Sequence, residues 1–198
     1  DYTSMKKIHT DGVVTFTPPS RNAWRRWLEQ NHESERCVWL VYKKGAADKA
    51  NISYVEAVEE ALCFGWIDST SKRLDDSIRI QYFSRRNPRS TWSSLNKQRV
   101  AKLSKAKLMH PAGLAMVSLA KKTGTWNALD EVDRLTIPPD LKLEFGRFPA
   151  AWANFDAFPK SAKKGILAWI KSARKQETRV KRIERTIAYA AENKRAFP

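Results

Sequence analysis

The sequence predicts an α+β protein: a small N-terminal sheet with helices, followed by an all-helical C-terminal half. Strand-like apolar stretches occur only before residue 90, at 13–16, 37–44 and 78–83. Beyond Asn87 and Pro88 the apolar spacing becomes helical and stays helical. No Gly/Ser/Pro-rich linker separates the halves, so residues 5–90 and 91–198 are expected to pack as one compact unit. Residues 1–4 precede Met5, where the native start is placed, and are read as a remnant outside the fold.

The elements follow from local chemistry. Residues 13–16 (VVTF) form a short strand, Pro18 and Pro19 stop it, and Ser20 caps a helix to about Asn31. Trp24, Trp27 and Leu28 share one face of that helix. Residues 37–44 (CVWLVYKK) are a short, continuous apolar run, hence a buried strand, and a Gly/Ala/Asp loop follows. Ser53 and Glu56 form a capping box that opens a helix through Phe64, with Tyr54, Val58, Ala61 and Leu62 on one face. Gly65 closes it. Residues 78–83 (IRIQYF) alternate after an Asp75-Asp76-Ser77 turn and read as a half-buried strand.

Ser93 to about Lys107 is a very basic helix, and Pro111 opens another that ends near Gly124. Further helices are expected at about 140–146, 149–157, 161–174 and 177–192, the last turning Val180, Ile183, Ile187 and Ala191 to the core. No repeat period occurs.

The formal net charge is +16. Residues 71–128 carry 13 basic and 2 acidic side chains, and residues 156–198 carry 12 and 4, whereas the remainder is slightly acidic. Such asymmetry suits an anionic partner: nucleic acid, a phosphate-bearing ligand or an acidic surface. The plainer reading is a set of solvated Lys and Arg side chains. A hydrophobic fraction of 42% with 7 Gly and 9 Pro excludes disordered and collagenous classes. No apolar run approaches membrane-spanning length, so no membrane insertion is expected. The absence of a charged-then-apolar leader points to a cytoplasmic location.

Cys37 and Cys63 lie in apolar stretches and read as buried thiols. With three scattered histidines they offer no zinc spacing, so no metal or cofactor is expected. The seven glycines are isolated, which excludes dinucleotide fingerprints and phosphate-cradling loops. Ser94-x-x-Lys97 followed by Lys122-Thr123-Gly124 echoes serine acylases, but SxxK occurs seven times here and the KTG falls at a helix end.

Three segments are richer in chemistry: 61–69 (ALCFGWIDS), 83–96 (FSRRNPRSTWSSLN) with Arg99 beyond, and 173–179 (ARKQETR) with Arg182. At these segments the chain resembles the YdeI/OmpD-associated, or bacteriocin-protection, family. Residues 60–69 meet that family's EALCFGWIDS stretch. Residues 83–96 meet its F-x-PR-x-P-x-S-x-W-S-x-x-N stretch, with Arg85 where proline is usual. Residues 173–182 meet its A-K/R-x-x-ETR-x-x-R stretch. The likeness runs from about Phe16 to Glu192. It implies a role in tolerance of bacteriocins or cationic peptides and in envelope stress, and it carries over no catalytic residue.

On their own chemistry, Trp66 and Trp92 are core anchors or stacking platforms. Ser90 and Ser93 precede a helix and either cap it or, with Arg86, Arg89 and the helix N–H groups, form an anion site. Asn96 completes that stretch. Arg179 and Arg182 share a helical stripe beside the core face, where they suit a pocket wall. Asp68 and Glu177 are the catalytic candidates, although Asp68 equally suits a turn cap or an arginine partner, and Glu177 pairs with Lys181 at i, i+4. His9, His32 and His110 are not placed for proton transfer.

The expected function is stress or bacteriocin protection through an anionic ligand or partner bound at an Arg/Ser/Trp-lined site. One alternative is a nucleic-acid binder using Lys97, Arg99, Lys102, Lys105 and Lys107, which point all around their helix rather than along one stripe. The other is a small enzyme using Asp68 or Glu177, although the sequence leans away from an enzyme.

Overall fold

A computed structural model describes residues 12–43 and 51–196. The remnant expected at 1–4, His9 and the loop expected after residue 44 lie outside the described residues. The chain divides into two compact units, 1–126 and 127–198. The α+β expectation holds, with a four-stranded sheet and helices first and helices alone afterwards.

The first unit runs β1 (Thr15–Phe16), α1 (Arg21–Asn31), β2 (Cys37–Lys43), α2 (Tyr54–Cys63), β3 (Trp66–Arg73), β4 (Ile78–Arg85), α3 (Ser94–Lys105) and α4 (Pro111–Thr123). The sheet order is β1-β2-β4-β3, with β1 parallel to β2 and the other pairs antiparallel. β2 reads as a continuous apolar run because both of its faces are used. Val38, Leu40 and Tyr42 join the main core, while Trp39 and Val41 join Ile80 in a separate cluster.

The helix termini form as their sequences dictate. Ser20, Ser53 and Ser93 accept N–H bonds from the third residue of α1, α2 and α3, and Ser53 with Glu56 closes the reciprocal capping box. Gly65 ends α2 at φ 74°, a conformation that disfavours other residues. Gly113 admits α4 against the end of α2, since a Cβ there would stand 2.1 Å from the Cys63 carbonyl oxygen.

The structure departs from the sequence reading in four places. β3 is additional: beyond Trp66 its residues are polar and increasingly exposed, so no alternation announces it. Tyr54 is exposed, while Glu59 and Glu60 are buried, because α2 is enclosed by α1, α3, α4 and β3. α9 is rotated from its expected core face: Val180 and Ala191 are exposed, and Thr186 and Ala190 join Ile183 and Ile187 inside. Thr186 is tolerated there because its hydroxyl donates to the Arg182 carbonyl at 2.8 Å. The line between the units falls after Trp126 rather than at residue 90, because Val100, Leu103, Val117 and Ala120 of α3 and α4 belong to the first core.

The second unit comprises α5 (Asp130–Asp133), α6 (Pro139–Arg147), α7 (Pro149–Ala157), α8 (Lys160–Lys171) and α9 (Gln176–Ala191). Its core gathers Leu141, Phe145, Phe155, Ile166, Ile170 and Ile187, among others. Proline at the first position of α6 and α7 starts each helix without losing a hydrogen bond. The single turn of α5 is too short for any periodic signal. Among the described residues, no helix is long and apolar enough to cross a membrane.

Candidate anion site

The segment between β4 and α3 carries Arg86, Arg89, Ser90, Trp92 and Ser93, five of the residues singled out from sequence, and it is pinned at both ends. The Arg86 amide donates to the Gly65 carbonyl at 2.9 Å, and the Trp92 amide donates to the Thr125 carbonyl at 3.3 Å. Between them Asn87 builds a tight turn. Its side-chain oxygen accepts from the Arg89 amide at 2.9 Å, and its carbonyl accepts from the Ser90 hydroxyl at 2.7 Å.

This geometry drives the Arg86 side chain inward. Arg86 is only 5% exposed. Its guanidinium carbon lies 3.8 Å from the centroid of the buried Trp92 ring, and Nη2 donates to the Thr91 carbonyl. Nε has no partner. Among the described residues no carboxylate pairs with the charge, and burial alone pushes the guanidinium down to about 10. The local sequence explains the missing counter-ion, since residues 77–129 contain no Asp or Glu.

Trp92 in turn packs on Trp126, with ring centroids 5.0 Å apart. Lys121 and Lys97 lie 5.3 and 5.9 Å from the Trp126 centroid. Cation, ring, ring and cation therefore follow one another from the interior to the surface. Trp126 is the residue that sequence reasoning missed. Its one available signal is an isolated tryptophan in the polar stretch after Gly124.

The outer side of the segment is open. Arg89 is exposed, and its side chain makes no hydrogen bond or ion pair with the described residues. Ser93 is exposed and caps α3 through the Asn96 amide at 3.3 Å, while the Asn96 side chain accepts from Arg99 at 2.9 Å. The first turn of α3 contains no acidic residue, so its positive end is uncompensated. Trp66 is a core residue, edge-on to Trp27 at 5.9 Å, and its buried indole N–H has no partner among the described residues.

The remaining candidates sit elsewhere. Arg179 and Arg182 belong to the second unit, and both have internal partners. Arg179 holds Asp140 through two bonds of 2.6 and 2.9 Å. Arg182 donates to the Trp169 carbonyl and to the Ser172 hydroxyl.

Asp68 accepts from the Tyr54 hydroxyl at 2.9 Å and from Gln81 at 3.3 Å. The Tyr54 phenol is raised by its own burial and then by that carboxylate. Glu177 pairs with Lys181 at 2.6 Å in the exposed i, i+4 geometry. Among the described residues, neither carboxylate lines the cavities formed around Trp152, Arg73, Thr136 or Phe148. Cys37 and Cys63 are free thiols. Burial, more than the nearby Glu60 charge, pushes the Cys63 thiol up to about 11. Among the described residues no cluster of His, Cys, Asp and Glu suits a metal ion.

The fold and this junction define a class: a basic α+β protein of two units, whose first unit buries an unpaired arginine between its sheet and a helix. Residues 16–116 match the family described as a domain of unknown function, DUF8412, and the chain belongs to that family. Residues 134–193 match the family described as bacteriocin-protection, YdeI or OmpD-associated. The likeness read from the sequence is thus found over the C-terminal part, with the motif at 173–182. The motifs at 60–69 and 83–96 fall in the DUF8412 region instead. Neither the curated proteins nor the solved structures provide a match to the chain.

Proposed function

We propose that the first unit binds an anionic ligand at the β4–α3 junction, and that this binding serves a protective role against bacteriocins or cationic peptides inside the cell. The observation that carries the reading is Arg86: a buried guanidinium whose Nε has no partner, and whose charge meets no carboxylate, among the described residues. Isolating a charge from water costs several kcal/mol, roughly, unless another charge answers it. Stacking on Trp92 and one carbonyl offset only part of that cost.

The ligand is held on the outer side of the segment, by the exposed Arg89 and the uncompensated N-terminus of α3 that Ser93 caps. Arg86 stands behind them as a fixed positive charge whose field the low-dielectric interior does not screen. The protective role rests on the family match over residues 134–193. Asp140 already satisfies Arg179, so the ligand site is drawn from first-unit residues alone.

The test is a thermal-shift series with phosphate, sulfate, nucleotides and sugar phosphates on the full chain, the Arg89→Ala variant and the Arg86→Met variant. The parent gains stability with ligand concentration, by about 2.7 kcal/mol at a hundred times the Kd. Both variants lose the response while keeping their folded spectra. Variants that respond as the parent does would place the site elsewhere.

A further inference from the structure

A second surface, in the other unit, has the chemistry of a stacking platform. On α9, Arg182, Arg185 and Tyr189 follow at i, i+3 and i+7 and so form one stripe. Trp169 of α8 lies beside it. The Arg182 guanidinium carbon is 5.1 Å from the Trp169 centroid, and that of Arg185 is 5.8 Å from Trp169 and 5.2 Å from Tyr189. Flat cations and flat rings therefore alternate along the outside of the helix pair.

The stripe differs from the arginines that merely hold the fold. Arg179 is satisfied by Asp140, but Arg185 makes no hydrogen bond and no ion pair with the described residues, and it is exposed. Trp169 is half-buried against the core, and Tyr189 is exposed. Arg182 is held in place by Ser172 and the Trp169 carbonyl, so its plane is preset. The α8–α9 turn next to Ser172 adds Arg174 and Lys175, both exposed and without ion pairs among the described residues. The acidic residues of α9 are placed otherwise. Glu177 is paired with Lys181, Glu184 lies about a quarter-turn away from Arg185, and Glu192, just past the helix end, is paired with Lys194. Residues 156–198 carry 12 basic and 4 acidic side chains, so the face is electropositive as well as flat.

We propose that the Trp169–Arg185–Tyr189 face binds single-stranded nucleic acid. Unpaired bases stack on aromatic rings and on guanidinium planes, while nearby cations meet the phosphates. A duplex keeps its base faces hidden and gives such a stripe only its backbone. The site is independent of the anion site at Arg86, because its residues belong to the other unit.

The test uses fluorescence anisotropy of a labelled single strand of mixed sequence, about 20 nucleotides long, with the full chain at about 50 mM salt. The strand binds, and its affinity falls steeply with added salt. Arg185→Ala with Tyr189→Ala weakens it about tenfold or more. Tyr189→Phe, which keeps the ring, binds as the parent does. Four results would overturn the proposal: a double variant with parental affinity, a duplex of equal length bound as tightly, displacement by inorganic polyphosphate as effective as by unlabelled strand, or retention on anionic phospholipid vesicles with no single-strand binding.

Discussion

Asp140 and Arg179 meet side by side, with Nε and Nη2 of the arginine donating to the two carboxylate oxygens at 2.6 and 2.9 Å. The pair ties the first turn of α6 to the first turn of α9. The Arg179 hydrogen bond holds the Asp140 carboxyl below its ordinary value of 3.8. A lowered carboxylate contributes stability above that ordinary value and loses it as pH falls through the lowered one. Both side chains are partly solvated, so Asp140→Asn is expected to cost about 1 kcal/mol near neutrality. Urea unfolding at pH 7 and pH 3 checks this: the gap between variant and parent should shrink at the acid end.

Glu60 is held far more tightly. It is buried, and it accepts from Arg21 Nε at 2.6 Å and from Arg25 Nη1 at 2.8 Å. Removing its charge leaves two arginines facing a neutral group in a largely dry interface. Glu60→Gln is expected to cost about 3 kcal/mol. Glu29→Gln, which breaks only the exposed i, i+4 contact with Arg25, should cost under about 0.5 kcal/mol. Equal costs for the two variants in chemical denaturation would refute the difference in burial.

Arg86→Met should leave stability unchanged or raise it by about 1 kcal/mol, because no carboxylate loses a partner and an unpaired charge leaves the interior. Trp92→Ala, by contrast, opens a cavity in the core and should cost about 4 kcal/mol. A loss above about 2 kcal/mol for Arg86→Met would mean that the stack on Trp92 outweighs the burial of the charge.

His110 stacks on Phe64 with centroids 4.8 Å apart, meets His32 edge-on at the same distance, and accepts the Ala112 amide at its Nδ1. Burial first, then the neighbouring His32 and Arg25, lowers its affinity for a proton below the ordinary histidine value of 6.5. The unfolded chain therefore binds the proton more readily, and stability falls as pH drops through that ordinary value, levelling once the folded group also protonates. His110→Asn keeps a capping side chain at this position and removes the titration. Its melting temperature between pH 7.5 and pH 5.5 should decline less than that of the parent.

Gly113→Ala places a methyl 2.1 Å from the Cys63 carbonyl oxygen, a backbone atom that cannot swing away. α4 must lift from α2, at a cost of about 3 kcal/mol. A variant as stable as the parent by calorimetry would contradict this close approach of the two helices.

The legible parts of the fold were those governed by neighbouring residues. Ser20, Ser53 with Glu56, and Ser93 bond to the next turn, Pro111 starts a helix where no donor is needed, and Gly124 takes a left-handed backbone, so each helix end they mark could be read from the chain alone. β3 could not, because Asp68 to Arg73 lie at the sheet margin, where polar residues carry no alternation. Nor could the burial of Glu59 and Glu60, which depends on Arg21, Arg25 and Lys102 arriving from two other helices. The same division holds at the site. Arg86 and Trp92 are six residues apart and stood together in the motif, but the interior position of the guanidinium is set by Gly65 and Thr125. Trp126 reaches the stack only through the fold of α4.

The sheet ends on β3, and along its outer side the backbone has no neighbouring strand among the described residues. Ser69, Thr70, Ser71, Lys72 and Arg73 line this rim, all of them exposed. An open margin of this kind invites a second chain to add itself and continue the sheet, the first step towards aggregation. Two adjacent like charges at its far end and an irregular register between Asp68 and Ser71 make such growth unfavourable. The polar character that hid this strand from sequence reading is therefore also what keeps one molecule from templating the next.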